Sequence, residues 1–183
     1  DMKFQPRTLA TKIIGATAVV LLVLLSATTW VEWARRQKEL VRNLQEETRQ
    51  MTTVVDATLR HAMMIADGEA LDNLVLRVGG MDTMRSISIF GEDGTTARSS
   101  MTDLVGQSGP KDDLASIQAS KQPITRLAKG PDGRPFIQVL SPIAAEEGCL
   151  SCHSGLKVGE PAGYLGLERW ADAAMKEVRV SQA

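Results

Sequence analysis

Apolar and polar positions divide the chain into three regimes. Nineteen residues from Ile13 to Val31 carry no charge, between Lys12 and Glu32. From Glu32 to Asp67 apolar residues recur every three to four positions, and from Ser86 onward they tend to alternate. As a helix the first stretch is about 28 Å long, close to the hydrocarbon thickness of a bilayer. It predicts one membrane span, with Trp30 and Trp33 as an interfacial anchor at its end. A secretory signal shares the basic start (Lys3, Arg7, Lys12), but it has a shorter apolar run and a small-x-small cleavage site. Here Leu25 stands two residues before Ala27, and Glu32 two before Ala34. The uncleaved anchor is therefore the reading adopted.

The second regime lacks proline and glycine and is rich in good helix formers. At 100° per residue Leu40, Leu44, Met51, Val55, Leu59 and Ala62 fall on one stripe, and Asp67-Gly68 ends the helix. Such a stripe serves either a stalk packed on its own domain or half of a parallel dimer seam. A shorter helix follows over 69–78. Ser86 to Phe90, the turn Gly91-Glu92-Asp93-Gly94 and Thr95 to Ser99 predict a hairpin. Pro110 to Ser120 predicts a helix with Pro, Lys and Asp in its first turn. Ile124 to Ala128 and Phe136 to Ile143, joined at Gly130-Pro131-Asp132-Gly133, predict a second hairpin. Tyr164 to Trp170 is the last strand, before a C-terminal helix from about Ala171. The sum is an α+β arrangement: a five-stranded antiparallel sheet with helices on one side. The expected organisation is a cytoplasmic tail (1–12), a membrane helix (13–31), a stalk helix (32–67) and a domain over 68–183.

Composition narrows the chemistry. Net charge is −1 with the two signs interspersed, so nothing points to nucleic acid. There is no nucleophile–base pair, phosphate loop or paired carboxylates in context, so an enzyme is not expected. The only two cysteines form Cys149-Leu-Ser-Cys152-His153, and His153 is one of two histidines. C-x-x-C-H is the spacing of covalent haem attachment: each thiol forms a thioether to a vinyl group, and the adjacent imidazole becomes the proximal iron ligand. One haem c is the expected cofactor. A disulfide or thiol exchange is the rival use of the pair, and zinc a more distant one, since His61 is the remaining soft candidate for a fourth ligand.

Other site residues follow from the haem reading. His61 or Met63 is the candidate distal ligand, with Met64, Met81, Met84 and Met101 as further methionines, and the spacing does not choose among them. Arg126, Arg134 and Lys157 are candidate propionate partners near the predicted haem-side strands and loop. Orientation rests on the haem motif as well, because five Lys/Arg in residues 32–50 against three before the span leave the charge rule undecided. Covalent haem attachment follows export, which places the domain in the periplasm of a bacterial inner-membrane, single-pass protein.

The order of long helix, Ser86-Ile87-Ser88-Ile89-Phe90, Asp93-Gly94, Ser99-Ser100, Val105-Gly106, Ser141-Pro142-Ile143, the C-x-x-C-H motif and Gly163-Tyr164-Leu165-Gly166-Leu167 resembles the extracytoplasmic input domains of bacterial chemoreceptors and sensor histidine kinases. More narrowly, it is similar to the subset with a PAS- or Cache-like fold that carries a c-type haem. The resemblance covers about residues 40–178. It implies a sensor whose haem responds to redox state or a small ligand and moves the membrane helix, with a second copy or a membrane subunit as partner. Members of that family usually continue into a second span and a cytoplasmic output module. The other expectation is a tethered one-electron-transfer subunit of a larger membrane complex, exchanging electrons with a donor and an acceptor.

Overall fold

The computed structural model describes residues 9–65, 67–151, 153 and 155–172, with side chains from Ile13. One continuous helix, α1 (Leu9–Met64), joins the first two regimes, and its Ile13, Ile14 and Val19 to Leu25 are exposed. By length and composition this helix can cross a membrane. The chain divides into two compact units, Asp1–Leu40 and Val41–Ala183. The last turns of α1 thus belong to the folded unit, whose boundary falls inside the expected stalk.

In that unit α1 is followed by α2 (Gly68–Gly79), β1 (Met84–Phe90), β2 (Thr96–Ser99), α3 (Lys111–Ser120), β3 (Ile124–Lys129), β4 (Pro135–Ala144) and β5 (Pro161–Trp170). The Asp67 carboxylate caps α2 by accepting from the Ala70 N–H at 2.9 Å. The five strands form one antiparallel sheet in the order β2-β1-β5-β4-β3. This is the α+β arrangement, a five-stranded antiparallel sheet with flanking helices, that the pattern predicts.

The core seam of α1 differs from the predicted stripe in an instructive way. Leu44, Thr48, Thr52, Val55, Leu59 and Ala62 are buried, so two threonines occupy positions that a hydropathy count assigns to solvent. Their hydroxyls donate to the Leu44 and Thr48 carbonyls one turn back, at 2.7 and 2.8 Å, which removes most of the cost of burying them. The upper face of the sheet packs Ile87, Ile89, Leu165 and Leu167 against Val55, Leu59, Leu71 and Val75. The lower face packs Phe90, Leu140 and Tyr164 against Leu114 and Ile117 of α3. Helices therefore cover both faces, not one. Residues alternate in direction along a strand, and here both sets are buried, which gives β1 its nearly continuous burial. Gly166 sits under the Phe90 ring, where a Cβ would lie 2.9 Å from a ring carbon.

Strand β5 begins three residues before the predicted Tyr164, because Ala144 pairs with Pro161 beyond the expected end of the ladder. Pro142 lies beyond the β3 pairing, which starts with Ile124 opposite Leu140, and next to a register shift against β5, positions where a strand tolerates proline. Apart from Ala171 and Asp172, the expected C-terminal helix lies outside the described residues.

Candidate cofactor site

The C-x-x-C-H motif lies in the connection between β4 and β5. Its base is closed by two backbone bonds, Ala145 N–H to the Glu160 carbonyl and Gly159 N–H to the Ala145 carbonyl, both 2.8 Å. Glu147–Ser151 is a 3₁₀ turn, entered through a Cys149 N–H bond to the Glu146 carbonyl at 2.9 Å. The His153 N–H then donates to the Cys149 carbonyl at 3.0 Å. That bond closes a helical turn, and residues four apart on such a turn share a face. Cys149, half-buried, and His153 thereby come to one side of the loop. Cys152 lies outside the described residues.

Three neighbours converge on this loop. Glu92, from the β1–β2 turn, lies 3.1 Å from His153 Nδ1, and because an ionised carboxylate only accepts, the contact selects the Nδ1–H tautomer of a neutral imidazole, the form in which Nε2 carries the lone pair. Met64, the last residue of α1, brings its sulfur to 3.3 Å from the point where a Cβ on Gly148 would lie, so the missing side chain of that glycine is what admits the thioether. Arg60, one turn earlier, donates to the Ala144 carbonyl at 3.1 Å and to Glu146 Oε1 at 2.8 Å while pairing with Asp56 on its own helix. The Asp56 hydrogen bond is the main cause that raises the Arg60 pKa. The second Asp56 oxygen is buried with no hydrogen-bond partner among the described residues.

Beside the loop, a cavity of about 320 Å³ is lined by residues including Glu92, Lys121, Leu156, Glu160 and Tyr164. Burial, and then the Glu92 charge, push the Tyr164 phenol above its ordinary 10.0. Val158 of the loop is 60% exposed, and Met64 and Ile65 are 50% and 58% exposed.

A covalent haem c fits these residues on three counts. The backbone bond from His153 to Cys149 sets a thiol-bearing and the imidazole-bearing residue one turn apart, the Glu92 contact at Nδ1 leaves Nε2 to a metal, and exposed Met64 and Val158 border the loop for a flat apolar ring to cover. Among the described residues no group of three His, Cys, Asp or Glu side chains is placed to hold a bare metal ion.

The remaining predicted residues are distributed differently. His61 is exposed on the last turn of α1, and Met63 is packed against the core on the sheet's upper face. Met64 is the methionine brought to the motif. Lys157 is exposed in the motif loop, its N–H donating to Glu160 Oε2 at 2.9 Å. Arg126 and Arg134 are not brought to the loop. Arg126 pairs with Asp113 and donates to Gln138, six residues from Ala144 along β4 and so about 20 Å from the loop. Arg134 precedes β4 at its opposite end, about 33 Å away, where it pairs with Asp172 and stacks on Trp170. Both guanidiniums are engaged in the far half of the sheet.

A second concavity, about 270 Å³, lies on the lower face of the sheet. Strand β1 has one extra residue there: Met84 faces Arg169 and Ser86 faces Glu168, so the bulge turns Arg85 as well as Ser86 toward Glu168. Gln138 donates to the other Glu168 oxygen at 2.8 Å, and the Arg85 guanidinium lies 4.5 Å over the Phe136 ring. Nothing in the alternation of Ser and Ile along β1 signals this cluster, because a serine on a strand reads as a solvent-facing position.

No protein-family model matches the chain, and no curated protein sequence matches it. Among solved structures, it is similar to an extracellular ligand binding receptor from Desulfohalobium retbaense DSM5692 at 11% identity and a TM-score of 0.44, over 73% of this chain and 25% of that one. It is also similar to the sensor domain of the V. cholerae histidine kinase DctB at 12% identity and a TM-score of 0.46, over 78% of this chain and 57% of the other.

Proposed function

We propose that the folded unit is an extracytoplasmic sensory input domain carrying one covalent haem c, anchored in a bacterial inner membrane by residues 13–31, with a second copy or another membrane subunit as partner. The observation that carries this reading is the C-x-x-C-H loop held at one end of the sheet, with its histidine tethered through Nδ1 and with the end of α1 against it. Cys149 and Cys152 would hold the group, His153 would supply a nitrogen ligand to its iron, and Met64, against Gly148, would be the thioether available as a further ligand. When bound, the haem supplies a one-electron centre of variable charge. The chain's own residues orient that centre and transmit its state: Arg60 links the motif loop to α1, so a shift of the loop acts on the helix that enters the membrane. A change of iron charge biases that helix only by its differential energy in the two arrangements. The reading contains no catalytic step.

A small-ligand response is favoured by the concavity on the lower face, where Arg85, Glu168, Gln138 and Ser86 present charged and polar groups to a partly enclosed space. Tethered electron transfer is the reading that needs no conformational response. The deciding experiment is expression of the chain in cells able to mature c-type cytochromes, followed by intact mass and absorption spectra. The expected result is one haem added covalently, lost or crippled in Cys152→Ala. A wild-type mass without porphyrin, or a disulfide between the two cysteines, overturns the reading.

A further inference from the structure

The contact between Glu92 and His153 joins residues 61 positions apart, and the topology places them together. Phe90, the last residue of β1, pairs with Tyr164 near the start of β5. The turn that follows Phe90 therefore lies at the same end of the sheet as the loop that precedes Tyr164, which is the motif loop. The turn itself is fixed without Glu92. Gly91 N–H donates to the Thr95 carbonyl at 2.8 Å, and Asp93 accepts from the Thr95 N–H at 2.9 Å and from its hydroxyl at 2.8 Å. Those bonds, the backbone one first, hold the Asp93 carboxyl below its usual range. Asp93 is thus committed to the turn. Glu92 is left to reach the imidazole, and among the described residues it forms no ion pair with a lysine or arginine.

A half-exposed Glu–His contact taken alone would be an ordinary surface pair of small energetic consequence. Its position gives it a second use. A histidine bound to a metal through one nitrogen characteristically donates its other N–H to a carboxylate or carbonyl, which fixes ring orientation and makes the ligand more electron-donating. We propose that Glu92 is a positioning residue for the iron ligand: its carboxylate holds His153 in the Nδ1–H tautomer, directs Nε2 toward the iron and lowers the reduction potential. This rests on the haem reading above. It makes the β1–β2 turn, which carries no metal ligand, a determinant of the potential at which the domain changes state.

The test uses the full chain matured with haem and the variants Glu92→Gln, Glu92→Asp and, as a control on α2, Glu69→Gln. Covalent haem is first confirmed in each by intact mass, and folding by circular dichroism. Potentiometric titration and resonance Raman of the ferrous iron–histidine vibration follow. Glu92→Gln keeps the shape of the side chain and removes its charge. The expected result is a tenfold change in the one-electron equilibrium constant toward the reduced form, about 59 mV upward, with a weakened iron–histidine vibration. Glu92→Asp should fall between, and Glu69→Gln should leave both unchanged. Haem present, with potential and vibration unmoved in Glu92→Gln, overturns this inference alone. Absence of porphyrin on the wild-type chain overturns the haem reading and the inference with it.

Discussion

At the scale of single residues, the proposed haem makes different demands on its two sides. Cys149, Cys152 and His153 announce themselves because their chemistry requires a fixed short spacing. The distal side requires only that some residue be close in space, and a helical wheel ranks faces without saying where the helix ends. Met63 and Met64 are one position apart: the first turns inward to the core, and the second, in the last turn of α1, is free to lie against Gly148. In the haem-loaded protein Met64→Ala should keep the covalent attachment but open the axial position. Carbon monoxide should then bind the ferrous protein readily, and the potential should fall, since a thioether ligand raises it. Met63→Ala should leave the spectra unaltered. Equal carbon monoxide binding by wild type and Met64→Ala would show that the thioether is not a ligand.

At the scale of elements, hairpins were read well because their turns demand particular residues, and Asp67-Gly68 marked a real helix boundary. What pattern reading missed was which faces are covered. The Ser/Ile alternation of β1 predicts one wet face, but the chain from Ser100 to Ser120 folds over that face and buries Ser86 and Ser88. Likewise Thr48 and Thr52 enter the core because a helix carbonyl one turn back satisfies each hydroxyl. These seams make unequal demands. Leu59, fully buried between α1 and the sheet, should cost about 2–5 kcal/mol on truncation to alanine. Thr52→Val, which removes a satisfied donor and keeps the shape, should stay within about 1 kcal/mol of wild type. Urea unfolding of residues 41–183 measures both. A Thr52→Val loss as large as that of Leu59→Ala would mean that the hydroxyl bond, rather than packing, holds the helix in place.

At the scale of the molecule, the link that matters is the one no short motif encodes: the ion-pair and hydrogen-bond set by which Arg60 of α1 holds the Ala144 carbonyl and Glu146 at the mouth of the motif loop. Arg60 and Asp56 are each mostly buried, and one Asp56 oxygen already lacks a partner among the described residues. Removing the guanidinium alone should leave a buried carboxylate uncompensated, so Arg60→Ala should destabilise the fold by roughly 2–4 kcal/mol. Removing both members should restore part of that loss, because the stranded charge goes with its partner. The same cycle separates stability from transmission. Asp56→Ala leaves Arg60 free to hold Glu146, whereas any Arg60→Ala variant removes the polar link between loop and helix even where stability is regained. Amide hydrogen exchange along 41–64, compared between oxidised and reduced protein, should therefore respond to redox state in wild type and Asp56→Ala and fall silent in the double variant. A redox response that survives in the double variant would mean that the loop reaches α1 by another route, Met64 against Gly148 being the remaining contact. A wild type with no response at all would favour electron transfer over sensing.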